Sequence, residues 1–110
     1  MGRFVKGDVV VVPFPFSDLS ASKRRPALVI VALSGDDVIL CQITSQAIMD
    51  SYAVTLSESD FSTGGLRQNS NIRPNRIFTA DSNIILYRVG ALSQEKTREV
   101  AAKLIEMLGA

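Results

Sequence analysis

The chain has 110 residues, 46% of them hydrophobic and 21% charged, which suits one globular domain over 1–110 and excludes a disordered chain. Its net charge is +1, so any nucleic-acid footprint has to be local. It has no histidine and one cysteine, which excludes histidine acid–base chemistry, a Ser-His-Asp triad and an internal disulfide, and argues against a zinc or other soft-metal site. No metal and no cofactor are expected, and no Gly-rich phosphate loop is present.

In chain order, Met1 to Asp8 contains no apolar signal segment, and no stretch is long enough to span a membrane, so a cytoplasmic location is expected. A β-branched run at 9–12 predicts a strand buried on both faces. Pro13-Phe14-Pro15-Phe16 is expected to end that strand, because proline cannot donate to a central ladder, with Phe14 and Phe16 anchoring the exit. A polar loop over 17–23 leads to Lys23-Arg24-Arg25-Pro26, and the proline holds Arg25 extended. Strands are expected at 27–33 and, after a Ser34-Gly35-Asp36-Asp37 turn, at 38–44. Cys41, inside an apolar run, is read as a buried core thiol.

Residues 52–56 alternate as a half-exposed strand, 57–70 form a polar loop, and short strands follow at 71–73, 77–80 and 84–89. From Ser93 the pattern changes. Ala101, Leu104, Ile105 and Leu108 recur at helical spacing beside Val100, opposite a charged side. This predicts an amphipathic helix with Ser93 as N-cap, Gly109 as stop, and an apolar stripe packed on the core. Many short strands and one terminal helix predict a mainly β fold, a small barrel with a helix packed on it.

Three polar constellations are candidates for chemistry. The Lys23-Arg24-Arg25-Pro26 cluster can grip a phosphate, although a solvated loop is the plainer reading. Thr44-Ser45-Gln46, leaving an apolar strand, can donate to phosphate oxygens or simply cap the strand end. Arg73-Pro74-Asn75-Arg76, with Thr79 and Asp81, offers two guanidiniums, a hydroxyl and a carboxylate, or else a charged turn. Together they suit phosphoryl transfer in RNA. The 2′-OH is a built-in nucleophile, so alignment and charge stabilisation suffice without metal or covalent intermediate.

Gly7-Asp8-Val9-Val10, then Arg25-Pro26-Ala27-Leu28-Val29-Ile30, then Ile43-Thr44-Ser45-Gln46, resemble the MazF/PemK toxin family. The segment from Ile72 to Asp81 and the closing Val89-Gly90-Ala91-Leu92-Ser93 are similar to its PemK-like branch. The resemblance covers nearly the whole chain and implies an SH3-like β-barrel with a C-terminal helix. It also implies a homodimer, sequence-selective metal-independent cleavage of single-stranded RNA, and a cognate antitoxin with an acidic tail. It makes Arg25 the catalytic arginine and Thr44 the phosphate-holding threonine. Both are expected at the surface. Asp81 is the candidate general base, and Arg24, Ser45, Gln46, Arg73, Arg76 and Thr79 are the candidate RNA-binding residues. Phe78 stands where some members carry a basic residue, with Arg73 or Arg76 as substitutes. The competing reading is a non-catalytic toxin on the same barrel, like the gyrase-binding CcdB, since fold does not fix function. An RNA-binding barrel without catalysis is disfavoured by an aromatic content of only 6%.

Overall fold

A computed structural model describes residues 3–15, 22–47 and 49–110. Of the loop expected over 17–23, residues 17–21 lie outside what it describes, as does the packing expected of Phe14 and Phe16, while Ser22 and Lys23 belong to a strand. The described residues form one antiparallel seven-stranded sheet, a curled half-barrel closed by a C-terminal helix. In chain order the strands are β1 (Asp8–Pro15), β2 (Ser22–Ala32), β3 (Asp37–Thr44), β4 (Val54–Leu56), β5 (Phe61–Gly64), β6 (Ser70–Asp81) and β7 (Tyr87–Leu92), followed by α1 (Gln94–Leu108). Their spatial order is β4-β6-β3-β2-β1-β7-β5.

The β-branched run of β1 is buried on both faces, as Val9, Val10 and Val12 are fully enclosed and Val11 nearly so. Alternation along the strands then divides the core in two. Val9, Leu28, Cys41, Ile43, Ile72 and Val100 gather on one face, and Val10, Val12, Ala27, Val29, Val38 and Leu40 on the other. Cys41 is fully buried, and burial pushes its thiol up to about 12.

The prolines do not end β1. It pairs with β2 as far as Pro15 opposite Ser22, so β2 begins at Ser22, well before the expected Ala27. The reason lies in which way the backbone points. The Val11 carbonyl accepts a hydrogen bond from the Leu86 N–H on the β7 side. By strand alternation the nitrogens of Pro13 and Pro15 point to that same side, and the β1–β7 ladder stops at Val11. The missing donors therefore cost no ladder bond.

The segment expected as a turn, Pro74-Asn75-Arg76, lies within one long strand, β6. Pairing jumps from Arg73 opposite Gln42 to Ile77 opposite Cys41, so three residues bulge from the ladder. The polar loop expected over 57–70 contains a 3-10 turn (Glu58–Asp60) and β5. The strand expected at 84–89 begins only at Tyr87, behind a second 3-10 turn, Ser82–Ile84.

The helix begins and ends as its caps predict. Ser93 Oγ accepts from Lys96 N at 3.2 Å, and Gly109 N donates to Ile105 O at 2.9 Å. Lys96 pins the helix to the sheet by donating to the Thr55 carbonyl at 3.0 Å. The apolar stripe is only partly used. Val100 is buried and Leu104 packs beside it, but Ile105 is 71% and Leu108 74% exposed. Ile105 lies about 140° round the helix from Val100, so one face cannot cover both.

Candidate functional site

The site is built where β2 begins and β3 ends. Ala27 pairs with Gln42 across β2 and β3. Carrying that antiparallel register toward the strand ends brings Arg25 level with Thr44. Thr44 in turn pairs with Asn71 of β6, and Gln42 with Arg73. Arg25 pairs with Val12 and shares its face. Arg25, Thr44 and Asn71 thus form one row across three strands, and Ala27, Gln42 and Arg73 form the next. The polar rows continue a face that is otherwise aliphatic, which fixes them against a rigid backing.

Thr44 is 8% exposed, which corrects the expectation of a surface residue. It is buried because it completes the inner face of β3 and turns the chain. Its Oγ1 accepts the Gln46 N–H at 3.2 Å, and the Gln46 carbonyl accepts from Asn71 Nδ2 at 3.3 Å. A threonine hydroxyl has one proton and two lone pairs. With a lone pair engaged by Gln46, the proton is left to donate to an incoming oxygen. Arg25, half-buried beside it, supplies a planar cation.

The other predicted residues divide. Arg24 and Ser45 adjoin Arg25 and Thr44 in sequence, so alternation places them on the opposite face of the same strand ends. Both border an open cavity of about 390 Å³ at the strand ends, which Arg25 also lines, together with Pro26, Ile43, Leu66, Arg67, Gln68 and Ser70. Gln46 serves the turn through its backbone. Arg73 is committed to Asp50 by an ion pair of 3.6 Å, with the carboxylate only 10% exposed. Arg76 stands exposed in the β6 bulge, and Thr79 is exposed opposite Ile39.

Asp81 is not brought to the site. It pairs with Asp37 at the far end of β3, seven residues from Thr44, a separation of about 23 Å along an extended strand. Its Oδ1 instead accepts the Asn83 N–H at 2.8 Å and caps the Ser82–Ile84 turn. Within one chain it lies far from Arg25, and in the described fold its carboxylate serves as a turn cap.

Sequence reasoning missed Asn71, Gln42, Asp50 and Arg67. In the sequence Gln42 is marked only by its place at the end of the apolar run 38–41. Nothing local marks Arg67, because its neighbours in the cavity come from other strands.

Comparison with known proteins identifies the family. Residues 5–108 match the model of the PemK-like, MazF-like toxins of type II toxin–antitoxin systems. The chain belongs to that family. No curated protein matches it in sequence. Among solved structures it is similar to MazF from Deinococcus radiodurans, at 22% identity over 100% of both chains and a TM-score of 0.74. The MazE–MazF complex from the same organism matches at 21% identity over 98% of each chain, with a TM-score of 0.76. An endoribonuclease in complex with its cognate antitoxin, from Mycobacterial species, matches at 14% identity over 97% of this chain and 96% of that one, with a TM-score of 0.78. At these identities the likeness to solved structures speaks for the fold, and the family match for the toxin class.

Proposed function

We propose that this MazF-like toxin is a sequence-selective, metal-independent endoribonuclease that cleaves single-stranded messenger RNA and so blocks translation and growth. The observation that carries the reading is the row of Arg25 and Thr44 on one face, with the Thr44 hydroxyl proton free to donate. The Arg25 guanidinium neutralises the scissile phosphate, and Thr44 donates to a non-bridging oxygen as charge builds there. The backing strands hold both groups rigidly, so the RNA's 2′-OH is aligned for attack at little entropic cost. The O2′–P bond forms, the P–O5′ bond breaks, and one proton passes from the first oxygen to the second. No co-reactant is consumed.

Two partners belong to the reading. One is a second copy of the chain, since Ile105 and Leu108 remain largely exposed and Val31 and Leu33 partly so, and a two-fold contact would cover such a surface. The other is a cognate antitoxin, as in the similar complexes. An acidic, disordered segment suits strand ends that carry Arg24 and Arg25.

The test is incubation of the purified protein with a long RNA. Cleavage is expected to persist in EDTA, to spare DNA, and to stop at any site given a single 2′-deoxy substitution. Complete dependence on Mg²⁺ would restore a metal-activated water and sink the mechanism.

A further inference from the structure

Asp50, between β3 and β4, has no part in the chemistry just described, yet its carboxylate is only 10% exposed and lies against Arg73. We infer that Asp50 is a positioning residue for RNA cleavage, which holds the Arg73 guanidinium on the face of Arg25 and Thr44 as a further cation for the reacting phosphate. This rests on the endoribonuclease reading and adds to it a residue that touches no substrate.

Register brings the pair together. Val54 of β4 pairs with Ile72, so the residues just before β4 run past Arg73. Asp50 makes its own turn there. Its carbonyl accepts the Ala53 N–H at 3.1 Å, and its Oδ1 accepts the Tyr52 N–H at 3.0 Å. With Oδ1 engaged in the turn, Oδ2 is left to face Arg73, 3.6 Å from Nη2. Arg73 in turn belongs to the reacting face. It pairs with Gln42, two residues from Thr44 along β3. One strand spacing of about 4.8 Å and two residues of about 3.4 Å each put its Cα about 8 Å from that of Thr44, a distance that an arginine side chain can bridge. The chain between β3 and β4 is tied to β6 a second time, where Asn71 Nδ2 donates to the Gln46 carbonyl at 3.3 Å. Both ties thus fall on the β6 residues that sit opposite Thr44 and Gln42.

As a brace for the fold the pair is poor. A strong arginine–carboxylate pair is bidentate, at about 2.7–2.9 Å. This one is longer, and among the described residues Asp50 Oδ2 and Arg73 Nε are both enclosed without a hydrogen bond. Enclosing two charges costs desolvation that one such contact offsets only in part, and an apolar pair would serve the fold as well. What the carboxylate supplies is alignment. It fixes one corner of a planar group while the guanidinium keeps its N–H donors out of hydrogen bonds with the described residues. A phosphate arriving on this face meets a cation that has little rotamer freedom left to lose.

The test is steady-state cleavage of a short single-stranded RNA by Asp50→Asn, Asp50→Glu, Arg73→Ala and the double variant Asp50→Asn/Arg73→Ala, with thermal unfolding of each. Asp50→Asn keeps an acceptor for Tyr52 N and should unfold close to wild type. It should lower kcat about tenfold or more, while KM stays level or falls, since a negative charge has gone from beside the phosphate. Asp50→Glu restores the charge and should recover part of the rate. Added to Arg73→Ala, Asp50→Asn should slow cleavage no further, because it acts only through that arginine. If wild type cuts RNA and either Asp50→Asn or Arg73→Ala matches it in kcat, the proposal is overturned while the endoribonuclease reading stands. The same holds if the two substitutions slow cleavage by independent factors that multiply, which is how a mere loop brace would behave. If wild type cuts no RNA, the endoribonuclease reading itself fails, and the proposal with it.

Discussion

Replacing Thr44 separates its two roles. The hydroxyl accepts from Gln46 N at 3.2 Å within the fold, and in the proposed mechanism it donates to the phosphate. Thr44→Val keeps the shape and removes both. The internal bond is worth about 1 kcal/mol, and Gln46 is exposed enough for water to replace it. The melting temperature should therefore fall by no more than about 4–8 °C, the shift that 1 kcal/mol gives a domain near this size. Thr44→Ala also removes a buried methyl, which adds about 0.8 kcal/mol. Cleavage should respond on another scale. Loss of one donor to the developing oxyanion costs about 10²–10³ in rate, so Thr44→Val should be nearly inactive while still folded. Thr44→Ser keeps the hydroxyl and should keep most activity. The assay pairs thermal unfolding with initial cleavage rates measured well below every melting point. Wild-type rates for Thr44→Val would refute the role of the hydroxyl. So would a deficit that vanishes on cooling, since it would then reflect unfolding alone.

Other outcomes follow from the same geometry. Arg25→Ala should lower kcat/KM by tenfold or more, about 1.4 kcal/mol of transition-state stabilisation, and Arg24→Ala by less; kinetics on a short RNA substrate compares them. Asp81→Ala should leave cleavage unchanged and cost about 1 kcal/mol through the lost turn cap, read by urea unfolding; a large drop in kcat would return Asp81 to the chemistry. Cys41 should resist thiol reagents at pH 8 in the native protein and react once unfolded, as measured by mass spectrometry. Because its folded-state value is raised to about 12 from 9.0, its contribution to stability is intact below about pH 9. That contribution declines as pH rises toward 12, by up to about 1.4 kcal/mol per pH unit. Cys41→Ala should lack that part of the alkaline loss.

What could be read from the sequence depended on whether the signal was local. The all-valine run of β1 and the caps at Ser93 and Gly109 are local, and the structure carries them as expected. The Arg25–Thr44 pair was found through family resemblance, since no period in the sequence says that the start of β2 faces the end of β3. Arg73 to Asp81 misled for a physical reason. Nine residues that are compact on the page extend along β6, and one end meets Gln42 while the other meets Asp37. Ile105 and Leu108 misled because helical spacing reports which side is apolar, not how much of it a sheet can cover. Arg67 carried no signal at all, because its significance lies in neighbours contributed by β2 and β3.

The two prolines of β1 have an effect beyond the chain itself. Past Val11 this strand has, among the described residues, one flank with no neighbour in the ladder, and a flank of that kind invites another chain to add a strand. Pro13 and Pro15 direct donor-free nitrogens to it, so an intruding backbone would find carbonyls to bind but no N–H to complete the alternating pairs. Among the described residues that border offers a poor template for strand addition, which leaves β4 and β5 as the ordinary edges of the sheet.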